Sequence, residues 1–191
     1  MRSGRYLPGQ RLDPAQLAVE FKTSLTPVRF ALYRLIGEAL VVDQARDGLH
    51  VPLLTEVALR DLYDWMNHLL QMACDIDMAP VARKAERLAP PSDDDDLVTL
   101  TWQLFDAIAC ATAHKSLHQA VKQTNDRLAP TRRAKQGLLE HGFEEFSALH
   151  RHWQAHDMPA LKSALSDYHE RRKQSVPRIV ALLNERNIGL R

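Results

Sequence analysis

The sequence predicts a mainly α protein in two parts: a small N-terminal unit of two short helices and a β-ribbon, followed by an all-helical bundle. Three observations carry that expectation. Only 7 of the 191 residues are glycine, and the alternating Val/Ile/Thr runs that mark half-buried strands are scarce. The one convincing pair of strands flanks Arg46-Asp47-Gly48, with Ala39-Leu40-Val41-Val42-Asp43 before it and Leu49-His50-Val51 after it. Asp-Gly between two apolar runs is a strong hairpin signal, because such turns need positive φ. From Thr55 onward the apolar residues Val57, Leu59, Leu62, Trp65, Met66, Leu69, Leu70 and Ala73 recur three and four apart, the period of a helix with a wide buried face. The expected domains are therefore residues 1–52 and 53–191.

Each element has its own local grammar. Asp13-Pro14-Ala15-Gln16 reads as an N-cap, a proline at the first helical position and a capping-box glutamine. Leu17, Ala18 and Phe21 supply the apolar face, Lys22-Thr23 a break, and Ser24 a second N-cap for a helix through Val28, Ala31, Leu32 and Leu35. Two short helices joined by a tight turn and followed by a ribbon make the layout of a winged helix-turn-helix. In the second part, Thr55 caps the long helix. Pro90-Pro91 stop what precedes them, and Ser92 with Asp93 to Asp96 reads as a cap whose carboxylates favour the positive end of the next helix dipole. That helix runs to about Ala113. Others are expected over 115–129, ending at Ala129-Pro130, over 131–155 with a break at Gly137 or Gly142, and from Met158 to Asn187 with a kink at Pro177.

Composition bounds the function. With 45% hydrophobic and 26% charged residues, disorder, a collagen-like chain and a disulfide scaffold are excluded. Cys74 and Cys110 sit among apolar neighbours and read as buried reduced thiols. No apolar run is long enough to span a membrane, and MRSGRYLPGQ lacks the hydrophobic core of a secretory signal, so a cytoplasmic protein with no membrane partner is expected. The net charge of +1 conceals a split: residues 1–52 carry seven basic and five acidic side chains, a weakly basic unit of shallow non-specific affinity for DNA. No nucleophile elbow, phosphate-binding loop, dinucleotide fingerprint or His-Glu-x-x-His pattern is present, so no enzyme is expected.

The segment GRYLPGQRLDPAQLAVEFKTSLTPVRFALYRLIGEALVVDQARDGLHVPL resembles the N-terminal domain of GntR-family bacterial transcription regulators. The matched positions are Pro8-Gly9, Leu12, Leu17-Ala18, Ser24, Thr26-Pro27-Val28-Arg29, Ala31-Leu32, Leu35, Leu40-Val41 and Gly48. The helical remainder resembles the effector domain, called FCD, of the FadR-like branch. The resemblance implies double-stranded DNA with a palindromic operator as partner, a homodimer, and a small-molecule effector. Within the motif, Ser24 and Thr26 are expected to donate to a phosphate alongside the helix N-terminus, and Arg29 to reach a base edge or phosphate. Arg11 and Lys22 would contact phosphates, and Arg46 and His50 on the wing would enter the minor groove. Leu25 stands where the family usually has Arg, and Phe30 where it has Glu. The family's helix ahead of the Pro-Gly segment has no counterpart, so either the start is truncated or the winged domain lacks its first helix.

Many relatives hold a divalent metal in the helical domain through an Asp and three His. Aligned to that pattern, Trp102 replaces the Asp, Asp106 and Phe146 replace two of the His, and the last falls on Tyr168. Aromatic rings cannot serve as ligands of a zinc-type site, so no metal and no other cofactor are expected; a rebuilt set of Asp106, His150 and His169 is the dissenting alternative. Met66 and Leu70 stand where relatives place an Arg and a Glu. Met66, Leu70, Trp102, Phe146 and Tyr168 would then line an apolar, aromatic pocket with Asp106 and the Tyr168 hydroxyl as polar points. The same residues could equally just fill the core. The functional expectation is a DNA-binding regulator whose helical domain dimerises and senses an apolar or aromatic effector without metal. The alternative is a degenerate relative that no longer reads DNA and acts as a ligand-binding or protein-interaction partner.

Overall fold

The computed structural model describes residues 6, 8–76, 96–134 and 141–188, with backbone alone at 134 and 184–188. Strand β1 (Arg11–Leu12) leads into helix α1 (Pro14–Glu20) and helix α2 (Leu25–Gly37), which are followed by β2 (Val42–Gln44) and β3 (Gly48–His50). The three strands form an antiparallel sheet in the order β1-β3-β2, with Arg11 opposite His50 and Asp43 opposite Leu49. The expected hairpin is present, and β1 joins it as a strand that local pattern did not reveal.

Asp13 caps α1 by accepting from Ala15 N–H at 2.8 Å. Lys22 turns the chain out of α1 at φ 50°, in the left-handed region that closes helix C-termini. Leu12, Leu17, Ala18, Val28, Leu32, Val41 and Val51 close one small core around the turn and the sheet.

The helical part comprises α3 (Glu56–Asp75), α4 (Leu97–Cys110), α5 (Lys115–Ala134), α6 (Gly142–Gln154), α7 (Met158–Gln174) and α8 (Val176–Ile188). Thr55 caps α3 through Ala58 N–H at 3.1 Å, as expected. Helix α3 lies against α5 and α7, and α4 against α5 and α6. They enclose a second core running from Leu59 to Leu183.

Four expectations need correction. The cap of α4 is Asp96, not Ser92, which lies outside the described residues along with Asp93 to Asp95; its carboxylate accepts from Val98 N–H at 3.2 Å. Helix α5 does not stop at Pro130 but runs through it to Ala134, forgoing the hydrogen bond that proline cannot donate and crowding the carbonyl four residues back. The last expected helix is two, broken at Ser175 rather than kinked at Pro177. Cys74 is buried but Cys110 is exposed at the end of α4, where the turn to α5 carries it off the apolar face.

Candidate DNA-reading face and bundle interior

Helix α2 has two faces. Val28 and Leu32 point into the small core, while Thr26, Arg29, Phe30 and Tyr33 are exposed, a spacing of three and four that puts them on one side. Phe30 is 71% and Tyr33 65% exposed, unusual for large aromatic rings and a feature that sequence pattern did not single out for function. Ser24 sits at the N-cap in extended conformation and makes no side-chain cap bond, so the hydroxyl stays beside the first-turn N–H groups instead of satisfying one. Lys22 is exposed in the turn that leads into α2.

The other three expected DNA contacts lie on the ribbon. Arg46 is exposed in the β2–β3 turn. Arg11 lies across β3, its Nε 3.8 Å from where a Cβ on Gly48 would stand. Gly48 has φ +82°, so that turn position favours glycine on backbone grounds. His50 is only part-exposed, and its Nδ1 is 3.0 Å from the Gly48 carbonyl oxygen; the ring is held by its own turn. Thus Ser24, Thr26 and Arg29 share one helix, and Arg11, Arg46 and His50 share one ribbon.

Four of the six residues expected to line a pocket come together. Met66, Leu70, Phe146 and Tyr168 all reach the buried core of the bundle. Trp102 and Asp106 do not line it. Trp102 Nε1 donates to Asp126 Oδ1 at 2.7 Å, and Asp106 Oδ1 meets His118 Nε2 at 2.8 Å, both partners being on α5. The buried stripe of α4 is Thr101, Leu104, Phe105 and Ile108, one residue and about 100° away from the expected one.

The metal expected of many relatives does not fit this donor set. Phe105, Phe146 and Tyr168 face the interior, and among the described residues no three His, Cys, Asp or Glu side chains come together. The rebuilt set fails on Asp106, which is tied to His118 outside the core.

The interior instead holds arginine. Arg132 on α5 is 4% exposed and Arg172 on α7 is 3% exposed. Arg172 pairs with Glu145 and donates from Nη1 to the Tyr168 carbonyl at 3.1 Å, with its Cζ 3.3 Å from the centre of the Tyr168 ring. Glu145 also takes Arg171. Arg132 donates from Nη1 to Asn125 Oδ1 at 2.5 Å and lies over the Phe105 ring at 5.2 Å. Burial draws its pKa below the ordinary guanidinium range, with Arg172 adding to the effect against the support of the Tyr168 and Tyr63 hydroxyls. Burial likewise raises the Tyr63 phenol, so it stays protonated.

Both arginines escaped sequence reasoning although each ends a buried stripe. On α5, Val121, Asn125, Leu128 and Arg132 are buried at spacings of four, three and four, and on α7 Leu161, Leu165, Tyr168 and Arg172 repeat that spacing. Ending the helix at Pro130 cut Arg132 off from its stripe. The periodicity was the available signal.

A groove of about 440 Å³ separates the two parts of the molecule. Ala31, Arg34, Leu35, Glu38 and Leu40 line one wall, and Gln119, Lys122, Gln123 and Asp126 of α5 line the other. Helix α5 therefore faces α2 with one side and the bundle interior with the other.

Residues 1–51 match the family described as "Bacterial regulatory proteins, gntR family". The chain is 37% identical over 71 residues to the Nta operon transcriptional regulator of Aminobacter aminovorans, covering 37% of this chain and 34% of that protein. It is 25% identical over 122 residues to the uncharacterized HTH-type transcriptional regulator YdhC of Bacillus subtilis (strain 168), covering 64% of this chain and 47% of that one. The matches thus span less than half the length of these curated relatives. In fold, the chain is similar to E. coli McbR/YncC, with TM-score 0.65 and 18% identity over 93% of this chain and 91% of that one. It is also similar to a GntR regulator from Rhodococcus sp. RHA1, with TM-score 0.70 and 14% identity over 92% and 90%. Residues 1–51 thus carry the gntR-family winged helix-turn-helix, and the fold of the chain as a whole resembles that of these two solved structures.

Proposed function

We propose that the protein is a homodimeric, DNA-binding regulator whose α2 enters the major groove, and whose helical domain binds a small effector in its interior without a metal. The observation that carries the DNA-reading part is the outward face of α2, where Thr26 and Arg29 follow an N-cap Ser24 whose side chain caps nothing. A free helix N-terminus attracts phosphate, and Arg29 one turn on reaches a base edge. Arg11, Lys22, Arg46 and His50 fix the orientation from the turn and the sheet, with Arg11 and Arg46 both exposed.

The effector reading rests on the bundle interior, where Met66, Leu70, Phe146 and Tyr168 belong to one buried core and Asn125, Arg132 and Arg172 are buried as well. Helix α5 supplies the link, since its inner side carries Asn125 and Arg132 and its outer side borders α2 across the groove. An effector then shifts DNA affinity only by binding more tightly to one arrangement of α5 than to the other.

Selection of bound genomic fragments by the purified protein tests the first part. A palindromic site is expected, with Arg29→Ala losing about 1–3 kcal/mol and relaxing one base position. Failure to enrich any site in moderate salt overturns the reading in favour of a relative that no longer reads DNA.

A further inference from the structure

Resting on the reading of α2 as the helix that enters the major groove, we infer that Phe30 is a specificity-determining residue: its exposed ring reads the 5-methyl group of a thymine in each operator half-site, beside the base that Arg29 reaches.

The surface of α2 divides into three. Val28 and Leu32 fill the small core, and Ala31, Arg34, Leu35 and Glu38 line the groove toward α5. What is left is an arc of about 100° holding Thr26, Arg29, Phe30 and Tyr33, all of them exposed. A single exposed apolar residue is ordinary, but two large rings three positions apart are neighbours on the helix surface and form a patch. Phe30 and Tyr33 belong neither to the core nor to the groove walls, so folding of the described residues leaves them for something else to cover.

Charge says what covers them. No residue of α2, Leu25–Gly37, is acidic, Arg29 stands inside the arc, and Lys22, Arg11 and Arg46 are exposed on the neighbouring turn and sheet. Cations around an apolar centre match the major groove, whose walls are phosphates and whose floor offers one apolar group, the C5-methyl of thymine. Phe30 has no hydrogen-bonding atom in its side chain, so it can tell bases apart only by apolar contact. It follows Arg29 by about 1.5 Å along the helix axis, less than the roughly 3.4 Å between base pairs. The two side chains diverge by about 100° and thus meet the same or adjacent base pairs, the guanidinium taking purine acceptors and the ring the methyl.

Fluorescence anisotropy on the full chain tests this, with duplexes of the site selected from genomic fragments in which each thymine is replaced in turn by deoxyuridine. At one position in each half-site the exchange is expected to weaken binding about three- to fivefold, the worth of one buried methyl group. At that position 5-methylcytosine is expected to exceed cytosine by a similar factor, which assigns the effect to the methyl rather than to the base pair. Phe30→Ala is expected to make thymine and uracil equivalent there while leaving affinity for a duplex without the site unchanged, and Phe30→Leu to keep part of the preference. Uracil equal to thymine at every position, a methyl preference that survives Phe30→Ala, or loss of self-association in Phe30→Ala by light scattering, which would give the ring to a second copy of the chain, each overturns the assignment. Failure to select any site overturns the DNA-reading proposal and this inference with it, whereas a selected site indifferent to uracil overturns this inference alone.

Discussion

The two buried arginines are predicted to respond unequally to the same substitution. Arg172→Met removes the inner partner of Glu145, the bond to the Tyr168 carbonyl and the stack on the Tyr168 ring. Breaking a buried pair from one side costs about 3 kcal/mol, and for a chain of this length that lowers Tm by roughly 6–12 °C. Arg132→Met also loses a charge-assisted bond, to Asn125, and a ring contact with Phe105. Together these are worth about 2–4 kcal/mol. Against that stands the relief of an uncompensated buried charge, a penalty of several kcal/mol. The two nearly cancel, so the ligand-free variant is expected within about 1 kcal/mol of the parent, or about 2–4 °C. Differential scanning calorimetry of both variants and the parent at pH 7 measures the contrast. A loss in Arg132→Met as large as that in Arg172→Met would show that Arg132 is an ordinary structural cation and refute the reasoning.

Three further outcomes follow. Although burial alone would raise it, the Thr99 hydroxyl, Arg133 and the Val98 N–H together hold the Asp96 carboxyl below the usual carboxylate range. A lowered carboxyl stabilises the fold above its unfolded pKa of about 4 and ceases to do so as pH falls through the folded value. Asp96→Asn should thus differ from the parent at pH 7, within the roughly 1 kcal/mol scale of a cap, and converge with it in acid, below the folded value, by chemical denaturation; a constant difference would contradict the pairing. Burial pushes the Cys74 thiol up to about 12 while Cys110 is exposed, so a thiol reagent at pH 8 should label Cys110 in the native protein and Cys74 only on unfolding. Leu25→Arg, in the first turn of α2, should tighten DNA binding and steepen its salt dependence by about one phosphate contact; no change would place that turn away from the backbone.

What the sequence disclosed and what it withheld divide along physical lines. Caps and turns are local, so Asp13, Thr55 and the Asp47-Gly48 turn could be read directly, and with them the helix-turn-helix and its ribbon. Strand β1 could not, because Arg11 and Leu12 become a strand only by pairing with residues nearly forty positions on. The interior of the bundle was misread in two ways. A proline was given the weight of a stop, though tertiary packing of Leu128 and Ala129 before it and Thr131 and Arg132 after it keeps α5 intact. On α4, a one-residue shift exchanged Thr101 and Phe105 for Trp102 and Asp106. Register within a helix is fixed by what it packs against, and the apolar stripe alone contained the correction.

The most direct test is operator binding by the full chain, measured by fluorescence anisotropy against salt. A specific palindromic site is predicted, with an affinity that falls linearly on logarithmic axes with salt and a loss of specificity in Arg29→Ala. Binding that is indifferent to sequence and to Arg29 would contradict it.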